Sequence, residues 1–253
     1  MDTILRVREH YEIAKAFVPE ERIIGVFLYG AQNYNMADEL SDVDTKCLYV
    51  PSFDELIFPN TLVNKDRTLE NGEHITFIDI RNFMRSIRMS DPMLMEALFT
   101  DYFILGPCFE ELWNDFISYR EAISRFQPYA FVNVAYHMMN GVIKKQDKFG
   151  YNPKYTALIL RFEAMIKDYI DGISLKIAYA PAEASFLKQV KRGLYSKEEN
   201  DNLAQKALAR AKKMVEDYTS LAQNKTNEEA LWVIEKYQKE FIRFQARKEL
   251  LDD

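Results

Sequence analysis

The chain has 253 residues, of which 48% are hydrophobic and 28% charged, and its formal net charge is −6. This composition is typical of a globular protein with one large domain or two smaller ones, and it excludes a disordered chain. The acidic balance argues against attachment to nucleic acid by bulk charge, although it leaves room for a local basic groove.

The two cysteines, Cys47 and Cys108, form no CxxC pair. Their number and spacing exclude a disulfide framework and a thiolate zinc site. No apolar run approaches the roughly 20 residues that a membrane span needs. The N-terminus carries both acids and bases and lacks a signal-peptide core. We therefore expect a soluble cytoplasmic protein without disulfides or contact with a membrane.

Strand and helix patterns alternate in the first part of the chain. Helical spacing predicts a helix over Asp2 to Phe17, which Pro19 ends. Short apolar runs predict strands at residues 23–30, 45–50, 74–80 and 102–106. Residues 63–72 are rich in turn formers, so we expect an irregular polar connection there. Helices are predicted over Arg81 to Met89 and from Ser90-Asp91-Pro92 onward, where proline follows a capping residue.

The strand patterns end near Pro107, and the rest of the chain is predicted to be helical. The predicted helices are residues 110–124, 129–148, 155–170, 196–221 and 227–251, and Ser196 with Glu199 forms a capping box. The fold class is therefore α+β. An α/β domain over residues 1–110 precedes a helical domain over residues 111–253, with a soft boundary between Pro107 and Pro128.

The most informative segment connects the first two predicted strands. An apolar strand ends at Gly30-Ala31, and a polar spacer leads to Asp42-Val43-Asp44, which enters the next strand. Side chains at i and i+2 of a strand point to one face, so Asp42 and Asp44 project together. Two such carboxylates repel each other unless a cation lies between them, and oxygen ligands favour Mg²⁺ or Mn²⁺.

Phosphoryl transfer with two metal ions needs a third carboxylate, and Asp79 at the end of the third apolar run is the natural candidate. The flexible backbone at Gly30 allows N–H groups to approach phosphates. The alternative for Asp79 is an N-cap for the helix that follows it. The pattern of residues thus indicates a metal-assisted reaction on a phosphate substrate.

The segments YGAQNYN and SDVDTK resemble the DNA polymerase β-type nucleotidyltransferases. More narrowly, they are similar to a bacterial and phage group of predicted nucleotidyltransferases, with relatives associated with RNA-repair ligases. The residues that carry the resemblance are Gly30, Tyr34, Ser41, Asp42, Asp44, Asp79, Asp91-Pro92 and Glu96. Weaker resemblances in the helical half are Lys154 with Arg161, seven residues apart, and the basic turn KRGLYSKEE.

The resemblance implies a small mixed sheet with helices, followed by a helical domain that closes the cleft. It implies transfer of a nucleoside monophosphate from an NTP to an acceptor hydroxyl or phosphate, with release of pyrophosphate. Asp42 and Asp44 would bind both metal ions, Mg²⁺ or Mn²⁺, and Asp79 would complete the second site. The implied nucleotide-binding residues are Gly30, Ala31, Tyr34, Ser41, Lys154 and Arg161, the last two for the triphosphate.

Two positions depart from the family pattern. Ala31 replaces the usual serine, which removes a hydroxyl that faces the triphosphate in the family, and Asn35 replaces a glycine. Asparagine tolerates the left-handed region better than most residues, so Asn35 is compatible with the turn. The loss at Ala31 leaves a nucleotide-binding sensor as one alternative function, and an antitoxin-like protein that binds a partner as another. An RNA end, a protein and a small molecule all remain open as acceptor.

Ordinary structural roles compete with several of these assignments. Lys154 and Arg161 are also consistent with surface charges on a helix. Ser41 is consistent with a turn cap, and Gln32 and Asn33 with turn residues. Glu96 is predicted to support the site rather than to bind metal, and Cys47 is predicted to be a core residue on the face opposite Asp42 and Asp44.

Overall fold

A computed structural model describes residues 2–37, 41–57, 65–221 and 226–252. Its sheet consists of the strands β1 (Ile23–Tyr29), β2 (Asp44–Tyr49), β3 (Lys65–Thr68), β4 (His74–Asp79) and β5 (Phe103–Leu105). The strand order is β3-β4-β2-β1-β5. The β2–β4 pair is parallel and the other three pairs are antiparallel, so the sheet is mixed.

The helices lie around this sheet and dominate the second half of the chain. They are α1 (Thr3–Ala14), α2 (Phe53–Ile57), α3 (Ile80–Arg88), α4 (Pro92–Met95), α5 (Glu110–Ile117), α6 (Arg120–Ser124), α7 (Pro128–Phe149), α8 (Pro153–Ile170), α9 (Leu175–Ala178), α10 (Ala184–Lys191), α11 (Lys197–Leu221) and α12 (Glu228–Asp252). The predicted α+β class is confirmed. No helix in the described part of the chain is long and apolar enough to cross a membrane.

Two local predictions differ from the structure. The segment expected to be an irregular connection contains β3, a short strand of polar residues at the edge of the sheet. An edge strand needs no apolar alternation, so hydrophobic patterning does not detect it. The helix predicted over residues 110–124 is two helices, α5 and α6, with a break at Ser118 and Tyr119.

The two faces of the sheet have separate hydrophobic cores. On one face, α1 packs Val7 and Tyr11 against a cluster that includes Cys47 and Phe77. Cys47 is fully buried there, which confirms its predicted core role and its orientation away from Asp44. On the other face, a larger cluster joins the sheet to the helical half, with Leu48 among its strand residues.

The larger cluster crosses the predicted domain boundary near residue 110 without interruption. It contains Phe27 from β1 and Trp113 from α5, whose ring centroids lie 4.6 Å apart. The chain enters α5 past Gly106, where an added Cβ would lie 1.9 Å from the Ile23 carbonyl oxygen. The two halves therefore share one core, and this core positions the helical half over the face of the sheet that carries the candidate site. The boundary itself stays a prediction.

Candidate functional site

The loop that leaves β1 begins with a left-handed glycine. Gly30 has φ +90°, and a Cβ added there would lie 3.9 Å from Asp44 Oδ2, so the loop and the carboxylate meet. Asn35 has φ +55°, as its tolerance of the left-handed region predicted. Backbone hydrogen bonds from Tyr34 and Met36 to the Ala31 carbonyl close the turn.

The carboxylate of Glu96, which is 1% exposed, accepts hydrogen bonds from three residues of this loop. One carboxylate oxygen accepts hydrogen bonds from Gly30 N–H at 2.9 Å and from Asn33 Nδ2 at 2.6 Å. The other accepts a hydrogen bond from the Tyr34 hydroxyl. Because Glu96 occupies the Gly30 N–H, any backbone contact with a phosphate must come from the next residues, Ala31 and Gln32. The supporting role predicted for Glu96 agrees with these contacts.

Asp42 and Asp44 lie where β2 begins, beside that loop. Asp42 is exposed and Asp44 is partly buried. Asp44 Oδ1 is buried and has no hydrogen-bond partner among the described residues. Burial raises the pKa of Asp44, and the nearby Asp42 carboxylate adds to that rise, while His74 opposes it. The structure therefore brings the two predicted carboxylates together and leaves one oxygen without a donor.

Asp79 does not join them, and the prediction that it completes a second metal site is wrong in this structure. In the β2–β4 register, Asp44 pairs with His74 and Asp79 pairs with Tyr49, so the two aspartates lie about 16 Å apart along the strands. Asp79 is instead the N-cap of α3, accepting a hydrogen bond from Arg81 N–H at 2.7 Å. Its carboxylate also pairs with the Arg81 guanidinium at 2.6 Å.

A buried lysine follows Asp44 on the same face of β2. Lys46 is 7% exposed, and its ammonium donates to the Met93 carbonyl at 2.7 Å and lies 3.4 Å from the centre of the Tyr29 ring. Burial lowers the pKa of Lys46 to about 8, opposed by the charges of Glu96 and Asp91. Sequence reasoning missed this residue, although the alternation from Asp42 through Asp44 places position 46 on the same face.

The helical half contributes Arg161 from α8. Its guanidinium lies 3.7 Å from the centre of the Tyr34 ring and is 1% exposed. Nε and Nη1 are buried without hydrogen-bond partners in the described part of the chain. Tyr34 is itself buried, so it supports the loop and Arg161 rather than offering an open surface to a nucleotide. Nη2 contacts the Met93 sulfur at 3.9 Å, so Nε and Nη1 are the donors that an anion would satisfy.

A second basic contact closes the loop near Asp42. Lys191, at the end of α10, donates to Ser41 Oγ at 2.9 Å and to the Met36 carbonyl at 3.3 Å. Sequence reasoning noted the basic turn that holds Lys191 but did not select the residue. Lys154 is exposed in the first turn of α8, about 10 Å along the helix from Arg161. The start of α8 meets the same basic turn, because a Cβ added at Gly193 would lie 3.7 Å from Pro153.

A buried polar chain ties the starts of β2 and β4 together from the α1 side. His10 Nδ1 lies 2.9 Å from Thr45 Oγ1, and His10 Nε2 lies 2.9 Å from Glu73 Oε2. Arg6 also hydrogen-bonds to Glu73. Burial alone would raise the pKa of Glu73, but hydrogen bonds from Arg6, His10 and Asn71 outweigh it and lower the pKa to about 2. The residues before His74 and after Asp44 are thereby held in place.

The residues present fit one divalent cation better than two. Asp44 Oδ1 is an orphaned, buried carboxylate oxygen, and Asp42 lies beside it with an exposed side chain. As the side chains stand, no group of three or more His, Cys, Asp or Glu residues in the described ranges is arranged to hold a metal ion. The second site that the resemblance implies lacks its expected ligand, Asp79.

Two cavities lined by described residues bear on the site. One of about 960 Å³ is lined by Cys108 and by residues of α5 and α12, and none of the predicted site residues lines it. A smaller cavity of about 200 Å³ adjoins the Gly30 loop and is lined by Gln32, Asn33 and Glu96. Both cysteines are free thiols.

No family model and no curated protein matches this chain. The assignment of the site therefore depends on its geometry and on the sequence motifs described above.

Proposed function

We propose that this chain is a metal-dependent nucleotidyltransferase. It transfers a nucleoside monophosphate from an NTP to an acceptor hydroxyl or phosphate. One observation carries the proposal: Asp44 lies against the Gly30 loop through Oδ2 and keeps Oδ1 buried without a hydrogen-bond partner among the described residues, with Asp42 beside it. A buried carboxylate oxygen without a donor is costly, and a cation that carries a phosphate substrate would satisfy it.

The proposed reaction joins an acceptor oxygen to the α-phosphorus of the NTP. The bond from that phosphorus to the oxygen bridging the α- and β-phosphates breaks, pyrophosphate leaves, and the acceptor's proton passes to a carboxylate of the site. A divalent ion held by Asp42 and Asp44 would supply positive charge to the phosphates. The turn after Gly30 and the basic residues of the helical half would then orient the triphosphate.

Basic residues of the helical half support the binding of a triphosphate at this loop. Lys191 already contacts the loop at Ser41, and Lys154 projects from the neighbouring start of α8. Arg161 offers donors without acceptors, but it is buried, so it would act from beneath Tyr34 or after a movement of α8. We assign the triphosphate to Lys191 and Lys154 first and to Arg161 second.

The test is direct transfer. Each NTP, labelled on its α-phosphate, is incubated with the protein and Mg²⁺ or Mn²⁺ in the presence of RNA ends, proteins or small hydroxyl compounds. Transfer of the label to the acceptor and release of unlabelled pyrophosphate are both measured. We expect release with at least one acceptor class and its loss in Asp42→Ala and Asp44→Ala. Asp54→Ala removes an exposed carboxylate on α2 and is the matched control. Equal release by the Asp44 and Asp54 variants would overturn the proposal.

A nucleotide-binding sensor without transfer is the second candidate. Three observations favour it: Ala31 lacks the hydroxyl of the family pattern, Asp79 lies away from the site, and Glu96 occupies the Gly30 N–H. It predicts metal-dependent NTP binding that is lost in Asp44→Ala, with no pyrophosphate release for any acceptor. Isothermal titration of each NTP, with metal and then with EDTA, separates binding from turnover.

A further inference from the structure

The position beside Asp44 on the neighbouring strand is occupied by a histidine. Asp44 pairs directly with His74 in the parallel β2–β4 register. Paired residues of parallel strands project from the same face, with their Cα atoms about 4.8 Å apart. His74 is in phase with Ile78, which packs in the cluster of the helical half together with Leu48 of β2. Asp44 and His74 are therefore neighbours on one face.

The hydrogen bonds agree with this placement. The His74 backbone N–H donates a hydrogen bond to the Asp44 carboxylate. The His74 ring is exposed, and its Nδ1 lies 3.1 Å from Thr68 Oγ1. With Nδ1 engaged, Nε2 is the ring nitrogen left for a ligand. Histidines that bind metals ordinarily hold the other ring nitrogen in such a hydrogen bond.

The separation of the two residues is fixed from the opposite face. His10 bridges Thr45, the residue after Asp44, to Glu73, the residue before His74. This bridge is fully buried at His10 and joins the starts of the two strands. The side chains of Asp42 and His74 are exposed, so each can rotate toward an ion without repacking the core.

We propose that Asp42, Asp44 and His74 form a mixed carboxylate and imidazole site for one divalent cation, and that this site prefers Mn²⁺ to Mg²⁺. His74 takes the place that the resemblance implies for a third carboxylate. Imidazole nitrogen is a good ligand for transition metals and a poor one for Mg²⁺, whose sites are built from oxygen. The inference rests on the proposed function for the role of the ion, and it names the ion and the third ligand.

The test measures binding of Mn²⁺ alone to the full chain by electron paramagnetic resonance, with pulsed detection of nitrogen coupled to the ion. We expect one bound Mn²⁺ with a nitrogen coupling. His74→Ala should weaken binding by about tenfold or more and abolish that coupling. His137→Ala removes another exposed histidine, on α7, and should change neither. Thermal unfolding of each variant verifies that the exposed substitutions leave the fold intact.

Competition with Mg²⁺ tests the preference. His74→Asp replaces the nitrogen by oxygen, so it should restore binding and narrow the ratio of Mn²⁺ to Mg²⁺ affinity by about tenfold. Mn²⁺ binding lost in Asp44→Asn but unchanged in His74→Ala would overturn this inference and leave the proposed function standing. Absence of Mn²⁺ binding in the unmodified protein would overturn the inference, and absence of nucleotide transfer as well would overturn both.

Discussion

Two aspartates mark opposite ends of the β2–β4 strand pair, and their environments are opposite as well. Asp79 is fully buried, caps α3 and pairs with Arg81 through both carboxylate oxygens. Asp44 is partly buried and keeps one oxygen without a partner among the described residues. The sequence presents both as acids at the edge of an apolar run. The structure satisfies the first internally and leaves the second to be satisfied from outside.

This difference separates a stabilising carboxylate from a ligand-binding one. A carboxylate that accepts several hydrogen bonds and faces a guanidinium contributes to the free energy of unfolding. A carboxylate with an orphaned oxygen costs free energy in the protein without ligand, and function is the usual reason for such a cost. Substitution of the two aspartates should therefore have opposite effects on stability and on activity.

The largest expected effect is on activity in Asp44→Asn. Nucleotide transfer should fall by about a hundredfold or more, because the site loses a ligand charge. The midpoint of thermal unfolding should hold or rise, because burial already disfavours the charged form of Asp44. Transfer assays and calorimetry on one preparation measure both. A lower unfolding midpoint with full activity would reverse the assignment of Asp44.

The converse effect is expected in Asp79→Ala. It removes the α3 cap and leaves Arg81 without its partner, so the free energy of unfolding should fall by about 3 kcal/mol. Metal binding should persist at temperatures where the variant is folded, since Asp79 is remote from Asp44. Denaturant unfolding together with Mn²⁺ titration measures this. Loss of metal binding in a folded Asp79→Ala protein would show that Asp79 takes part in the site after all.

A pH-dependent effect is expected at the bridge behind the site. The pKa of Glu73 is lowered from 4.5 to about 2 in the folded protein. Its contribution to the free energy of unfolding is therefore fully present above pH 4.5 and is lost as the pH falls from 4.5 toward 2. Glu73→Gln should lower the free energy of unfolding at pH 7 by about 2 kcal/mol and flatten its decline between pH 4.5 and 2.

A second acid contribution comes from His10 and should be present in the unmodified protein and larger in Glu73→Gln, because Glu73 raises the pKa of His10. Burial lowers the pKa of His10 from its ordinary value of 6.5, so the unfolded chain binds that proton first and stability falls as the pH drops below 6.5. Urea unfolding at a series of pH values compares the unmodified protein with Glu73→Gln. Parallel curves below pH 4.5 would contradict the assignment of the acid-sensitive stabilisation to Glu73.

A smaller effect is expected at the loop beside Asp44. Gly30→Ala places a side chain at φ +90°, a conformation that costs about 1 kcal/mol or more for residues other than glycine. The added Cβ meets no atom closer than 3.9 Å, so the loss comes from backbone strain rather than from a clash. Unfolding midpoint and nucleotide affinity should both decrease. Gly141→Ala, in the middle of α7 with open space around it, is the control and should not destabilise.

An effect on nucleotide affinity alone is expected from Ala31→Ser. It restores the hydroxyl that the family pattern places toward the triphosphate, and a hydrogen bond to a charged acceptor contributes about 1 to 3 kcal/mol. Affinity for NTP, measured by titration calorimetry in the presence of metal, should increase while the unfolding midpoint is unchanged. An unchanged affinity would place the triphosphate away from the start of the loop.

Several features could be predicted because they depend on residues close in sequence. The apolar run before Gly30, the left-handed Asn35 and the i, i+2 pair of aspartates are local patterns, and each is present in the structure. Lys46 was within reach of the same alternation argument and was overlooked. Lys191 could not be selected from sequence patterns, because only folding brings α10 to Ser41, 150 residues away in the sequence.

The error at Asp79 has a specific physical cause. Sequence shows that residues 74–80 form a strand, but it does not show which residue of that strand lies beside Asp44. Register depends on how both faces of the strand pack, and each shift by one residue moves every side chain to the other face. The parallel register pairs His74, the first residue of β4, with Asp44. Asp79, the last residue of β4, pairs with Tyr49 at the other end of β2.

By itself the sequence determined the α+β class, the strand-loop-strand segment and the pair of carboxylates, because composition and short-range periodicity control them. Tertiary structure decided which groups meet that pair. It brought His74 beside Asp44 through strand register, Glu96 beneath the loop, and Lys191 onto Ser41 through packing of the helical half. These contacts join distant parts of the chain, and their geometry arises only when the two cores on either face of the sheet are formed together.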